Sequence, residues 1–250
     1  MIEALLLDLS GVLYEGDTVI PGAAEAVSRA QHSDLELRFI TNTSQTTGAR
    51  LLTHLRGMGF ELEEAQLFTA VDAACQWLQQ RKLRPFCLVH DNIRSEFEAI
   101  DQSDPNAVLI ADAAEGFNYR NLDRAFQLCA AGAPLLGVGY NRYFKSGGLL
   151  HLDAGAFIRA VEFAAGVEAT IVGKPSPAFF EQVMTSTTAR HAHTLMVGDD
   201  IFGDVEGALN AGLLACLVRT GKYQAGDEDR IGGNFSVVDS VADAVHLALG

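Results

Sequence analysis

Short apolar runs that stop at a polar residue recur along this chain and alternate with longer segments of helical spacing. "EALLLD" stops at Asp8, "LRFITN" at Thr41 and Asn42, and "TLMVGDD" at Asp199. Between the first two, Pro21 followed by "GAAEAVSRAQ" predicts a helix, with Pro suited to its first turn. "TTGARLLTHLRGMGF" then places Leu51, Leu52, Leu55 and Met58 on one helical face. Parallel strands need a crossover, usually helical, so this alternation predicts an α/β fold built on a parallel sheet.

The rhythm returns in the last third with "ATIVGKP", a helix capped by Ser176 with Pro177 as first residue, "TLMVGDD", a helix containing "DVEGALNAG", "LLACLVRTG" and "SVADAVHLALG". Residues 1–71 and 169–250 are therefore expected to form one doubly wound, Rossmann-like core. Residues 72–168 hold strands of their own ("FCLVHD", "AVLIAD", "PLLGVG") and helices of their own ("YRNLDRAFQLCAAG", "GAFIRAVEFAAG"), and read as an inserted α/β domain.

A chain of 250 residues that is 48% hydrophobic can bury a large core. Its net charge of −14 argues against nucleic acid or an anionic membrane as partner. No stretch approaches the roughly 18 to 20 apolar residues of a membrane span, and the start has no basic leader region, so a cytoplasmic protein is expected. Cys75, Cys87, Cys129 and Cys216 stand far apart with no CxxC pair, which predicts free thiols rather than a zinc site or disulfides.

Open parallel sheets bind ligands beyond the carboxyl ends of their strands. Asp8, Thr41 with Asn42, Lys174 and Asp199 each follow a predicted strand, so the fold would gather them at one edge of one sheet. Taken singly, each has a structural explanation: an Asx-turn, a helix cap, an αβ connection or a loop. Their shared placement makes them the candidate site.

"DLSGVLYEGDTVIPGA", "FITNTSQ", "VGKPSP" and "MVGDDIFGDVEGA" resemble the four ordered motifs of the haloacid dehalogenase superfamily. The branch resembled is subfamily IIA, which carries a C2-type α/β cap between the second and third motifs. The resemblance implies a phosphatase in which Asp8 attacks phosphorus and Mg²⁺ is held by Asp8, the main-chain carbonyl of Ser10 and Asp199. Thr41 and the backbone of Asn42 would bind phosphoryl oxygens. Lys174 would neutralise charge on the transferring group, its backbone direction biased by Pro175. Asp204 would act at one remove from the ion, and Asp200 is open to two readings, support of the site or a solvated loop acid. A homodimer through the cap is also implied.

The first motif departs from the usual pattern, which has Asp where this chain has Ser10. The missing carboxyl is the superfamily's proton donor to the leaving group, and such help is worth roughly 10²–10⁴-fold. Leaving groups that are weak bases, or that, like a phosphoramidate nitrogen, take a proton from solvent before departing, lose least, which favours phosphohistidine, phospholysine and pyrophosphate over sugar or alcohol phosphates. The competing classes are a metal-free carbon–halogen hydrolase and a non-catalytic relative that binds a phosphorylated partner.

Other residues have plainer expectations. Asp153 and Gly155 open a cap helix whose N-terminus is the candidate cap segment to face the phosphate; Asp153 is read as its N-cap, with a contact to a substrate cation as the alternative, and His90 ends a cap strand. Phe39, Phe60 and Phe68 fit core positions, His191 and His193 look solvated, and "AGDEDR" reads as an exposed loop. The leaving-group argument makes a direct prediction. Ser10→Asp should raise hydrolysis of an alkyl phosphate by about 10²-fold or more, measured as phosphate release; an unchanged rate would defeat it.

Overall fold

The structure is a computed structural model that describes residues 1–144 and 147–250 with their side chains, and residues 145 and 146 by backbone alone. In chain order the elements begin with β1 (Ala4–Leu7), β2 (Tyr14–Glu15), β3 (Thr18–Val19), α1 (Ala23–Gln31), β4 (Glu36–Thr41), α2 (Gly48–Gly57) and β5 (Leu67–Thr69). There follow α3 (Ala70–Gln80), β6 (Pro85–Leu88), β7 (Ala107–Ile110), α4 (Tyr119–Ala130), β8 (Leu135–Gly137), β9 (Tyr143–Ser146), β10 (Leu149–Leu152), α5 (Ala154–Ala165) and β11 (Thr170–Ile171). The chain ends with α6 (Pro177–Met184), β12 (Thr194–Gly198), a π-helical turn (Ile201–Glu206), α7 (Gly207–Asn210), β13 (Leu214–Val218), β14 (Ser236–Val238) and α8 (Val241–Leu249). Two compact units share these elements: residues 1–41, 49–68 and 175–250 form the first, and residues 42–48 and 69–174 the second.

The first unit is built on a six-stranded sheet of order β14-β13-β12-β1-β4-β5. Its central strand, β1, runs parallel to both neighbours, with Leu7 opposite Val197 of β12 and Phe39 of β4. All four residues of β1 are buried, as expected of a parallel strand covered on both faces. On one face Leu5, Leu7, Phe39, Leu195 and Val197 pack with Val27 of α1, Leu51 and Leu55 of α2, and Val241 and Val245 of α8.

The second unit has a four-stranded parallel sheet of order β11-β8-β7-β6. One core cluster joins Leu109 and Leu136 to Ala74 and Leu78 of α3, and another joins Val108 and Ile110 to Ala125 of α4 and Ile158 of α5. The antiparallel pair β9–β10 leaves all of Leu149–Leu152 exposed.

Several expectations need correction. "ATIVGKP" does not extend the first sheet: Thr170 and Ile171 pair with Leu136 and Gly137, and Val172 packs into the second unit's core. The second unit accordingly runs from 69 to 174, with residues 42–48 added, where 72–168 had been expected. Its first helix, α3, starts directly after Thr69, whose side chain accepts from the Asp72 N–H. Pro21 precedes the cap of α1, which is Gly22 at φ 79°.

"DVEGALNAG" is a π turn followed by one short α-turn, not a single regular helix. Phe68 is only half-buried, His191 and His193 are half-buried rather than solvated, and Asp227 of the "AGDEDR" loop is buried against Arg230. The four cysteines are free, and no helix among the described residues is long and apolar enough to cross a membrane. Phe39 is fully buried beside the strand that carries Asp8. Phe39→Ala should cost about 3–5 kcal/mol, measured by urea unfolding of the first unit's sheet.

Candidate active site

Asp8 follows β1, and its N–H still donates to the Val197 carbonyl of β12 at 3.0 Å. The ladder thus carries its carboxylate to the sheet edge. Asp199 follows the end of β12. The sheet's chain order reverses between β1 and β12, with β4 and β5 beyond one and β13 and β14 beyond the other. Such a switch point is where open α/β sheets bind ligands. Thr41, at 2% exposure, is the last residue of β4, the next strand over.

Asp204 joins the two acids from the π turn. One carboxylate oxygen from each of Asp8, Asp199 and Asp204 lies within 4.8 Å of the others, and all three residues are buried. Gly198 makes room, because a Cβ there would stand 2.2 Å from the Asp204 side chain. At an effective dielectric of about 20, like charges this close repel by roughly 3 kcal/mol per pair.

Lys222 supplies the opposing charge. Its N–H donates to Asp199 Oδ2 at 2.8 Å, and its ammonium lies 2.8 Å from Asp200 Oδ2. Burial lowers the Lys222 pKa, but the charges of Asp200, Asp199 and Asp204 carry it well above the ordinary lysine value. Burial also raises Asp200, and here Lys222 and the N–H groups of Gly203 and Phe202 prevail, leaving it below the usual carboxylate range. Asp199 goes the other way: burial pushes it well above that range, Lys222 opposes, and Asp8 and Asp204 add to the rise.

Asp199 is held tightly on one side only. Its Oδ2 lies between Gly11 and Gly221, where a Cβ on either would stand 2.1 Å away; both glycines have positive φ, 89° and 64°. The Thr220 hydroxyl donates to the Gly11 carbonyl, joining the two turns. Asp199 Oδ1 is buried and has no hydrogen-bond partner among the described residues. Three converging carboxylates with one unsatisfied oxygen fit a hard divalent cation such as Mg²⁺, whose ligands are oxygens.

In the second unit, Asn42 and Lys174 are joined to each other. Asn42 Nδ2 donates to the Lys174 carbonyl at 2.8 Å, and the Lys174 N–H donates to Asn42 Oδ1 at 2.9 Å. Lys174 is 4% exposed.

Residues 5–103 match the family model described as haloacid dehalogenase-like hydrolase, and residues 171–244 match a second model of HAD-like hydrolases. The chain is a haloacid dehalogenase-like hydrolase. Rat phospholysine phosphohistidine inorganic pyrophosphate phosphatase is 44% identical to this hydrolase over 258 residues, spanning 99% of the chain and 94% of the rat protein. Among solved structures, the 4-nitrophenylphosphatase of Thermotoga maritima superposes with a TM-score of 0.88 at 25% identity, covering 98% of this chain and 97% of that one. The glycerol phosphate phosphatase of Mycobacterium tuberculosis, solved in complex with magnesium, shares the fold, with a TM-score of 0.83 at 22% identity over 98% of this chain and 76% of that one.

In this hydrolase Asp204 stands inside the carboxylate cluster, where a place at one remove had been expected. Asp200 is no solvated loop acid: its Oδ1 caps the π turn through the Phe202 and Gly203 N–H groups. The Ser10 side chain is exposed. Lys174 follows a strand of the second sheet and shares no sheet edge with Asp8 and Asp199. Asp153 does cap α5, accepting from the Ala154 N–H at 2.6 Å, and His90 caps the turn after β6.

Sequence reasoning missed Lys222 and the Gly11–Gly221 clamp. The available signal was "RTGKY", a turn just past the end of β13, the strand beside β12. Lys222→Met should cost about 3 kcal/mol in chelator, since removing one partner of a buried pair strands the other charge. Adding Asp200→Asn should restore part of the loss, read by urea unfolding.

Proposed function

We propose that this hydrolase is a Mg²⁺-dependent phosphatase that works through phosphorylated Asp8 and favours P–N and P–O–P bonds. The observation that carries the reading is the buried Asp8–Asp199–Asp204 cluster with its unpartnered Asp199 Oδ1. A metal-free carbon–halogen hydrolase would need no such concentration of buried acids around its nucleophile. The similarity to the rat phosphatase supports the bond class.

In this reading Asp8 and Asp199, with the Ser10 carbonyl, hold the ion, and Asp204 closes the cluster. The bound ion supplies positive charge that lets an anionic phosphoryl group approach a carboxylate. Asp8 attacks phosphorus as the bond to the leaving group breaks, which divides one displacement into two easier ones. Thr41 and the Asn42 N–H donate hydrogen bonds to the phosphoryl oxygens. The Lys174 ammonium offsets their charge, and water then releases phosphate from Asp8.

The exposed Ser10 hydroxyl titrates far above neutral pH and gives the leaving group no useful proton donor. Phosphohistidine, phospholysine and pyrophosphate suffer least from that loss. The second unit, inserted between the strands that carry Thr41 and Asp199, acts as the specificity cap.

The test is phosphate release from phosphohistidine, phospholysine, pyrophosphate and an alkyl phosphate, each with Mg²⁺ and with chelator, using Asp8→Asn as the blank. The expected result is metal-dependent release from the first three at rates about 10²-fold above the alkyl ester. Release that survives chelation, or persists in Asp8→Asn, would overturn the mechanism. No release from a folded protein that binds Mg²⁺ would favour the phospho-ligand-binding class.

A further inference from the structure

The Asn42 side chain does more than follow Thr41 in sequence. Its carboxamide meets both backbone polar groups of one residue, accepting from the Lys174 N–H at 2.9 Å and donating to the Lys174 carbonyl at 2.8 Å. This mimics a strand partner, although Asn42 and Lys174 are 132 positions apart. The second Nδ2 hydrogen reaches Asn141 Oδ1 at 3.3 Å, which steadies the amide plane.

The surroundings are shaped around that amide. A Cβ on Gly173 would stand 2.5 Å from Asn42 Oδ1 and 2.1 Å from the Val138 carbonyl, and one on Gly139 would stand 2.7 Å from Asn42 Nδ2. Neither glycine has a positive φ, so the close approach, not backbone conformation, is what calls for glycine there.

Lysine reaches its target through a flexible four-carbon stem, so fixing its backbone removes much of the uncertainty in where the ammonium lies. Pro175 restricts Lys174 from one side, and the carboxamide holds it from the other. We propose that Asn42 is a positioning residue, whose side chain fixes the backbone from which Lys174 presents its ammonium to the phosphoryl group. The inference rests on the role given to Lys174 above. It adds a task for Asn42 separate from its backbone N–H, and a reason for Gly173 and Gly139.

The experiment is a double-mutant cycle on the full chain with Mg²⁺, using Asn42→Ala, Lys174→Ala and the double variant. Pyrophosphate turnover is split into kcat and KM, calorimetry reads affinity for inorganic phosphate without needing turnover, and thermal melting confirms folding. Asn42→Ala should lower kcat by about 10- to 100-fold, the scale of a misplaced catalytic group, and the double variant should be no worse than Lys174→Ala.

Asn42→Asp keeps the acceptor for the Lys174 N–H and loses the donor to its carbonyl, so it should fall between. If Asn42→Ala does not fold, Gly173→Ala displaces the carboxamide and takes its place in the cycle. Losses that multiply in the double variant, or a wild-type kcat in Asn42→Ala, would overturn the positioning role while leaving the phosphatase reading intact. Wild-type turnover and phosphate affinity in Lys174→Ala would instead overturn the Lys174 assignment, and the positioning role with it.

Discussion

Three carboxylates held within 4.8 Å of one another in a buried pocket repel strongly, and much of the first unit's local structure answers that repulsion. Burial cannot be relieved by moving the acids outward, because Asp8 and Asp199 are fixed to the ends of adjacent central strands. Charge must be met by charge. Lys222 meets part of it from the turn after β13, and the hard cation of the proposed function would complete the balance.

The geometry around Asp199 shows how the fold divides these duties. One oxygen is clamped between two glycines and takes the Lys222 N–H, while the other is left bare. The hydrogen-bonded oxygen fixes the orientation of the carboxylate, and the bare one keeps its lone pairs free for a cation. Asp200 plays a different part with the same chemistry: its acid neutralises the Lys222 ammonium and caps the π turn that delivers Asp204. The turn's irregularity thus lies at the acid cluster, since a π turn displaces one residue from the α register.

Much of the first sheet was legible because parallel strands buried on both faces read as unbroken apolar runs, and each such run ended where a chemical residue began. Asp8, Thr41 and Asp199 were placed at strand ends that way. "ATIVGKP" carried the same signal and misled, since a run of that kind does not say which of two sheets it joins. Lys222 was illegible for a related reason: a Thr-Gly-Lys turn is common, and its meaning comes from lying beside Asp199 and Asp200. Asp204 joins Asp8 and Asp199 from a π turn where a regular helix had been expected.

By itself, the sequence determined the alternation of strands and helices, the superfamily and the acids that end two central strands, since apolar periodicity and motif order are local properties of the chain. Only the tertiary structure decided which acids converge, that Asp199 keeps one oxygen bare, that Lys222 supplies the opposing charge, and that Asn42 grips the backbone of Lys174. Those relations join residues that are distant along the chain. Burial and hydrogen-bond geometry depend on what folding brings together, and no spacing in the sequence carries that information.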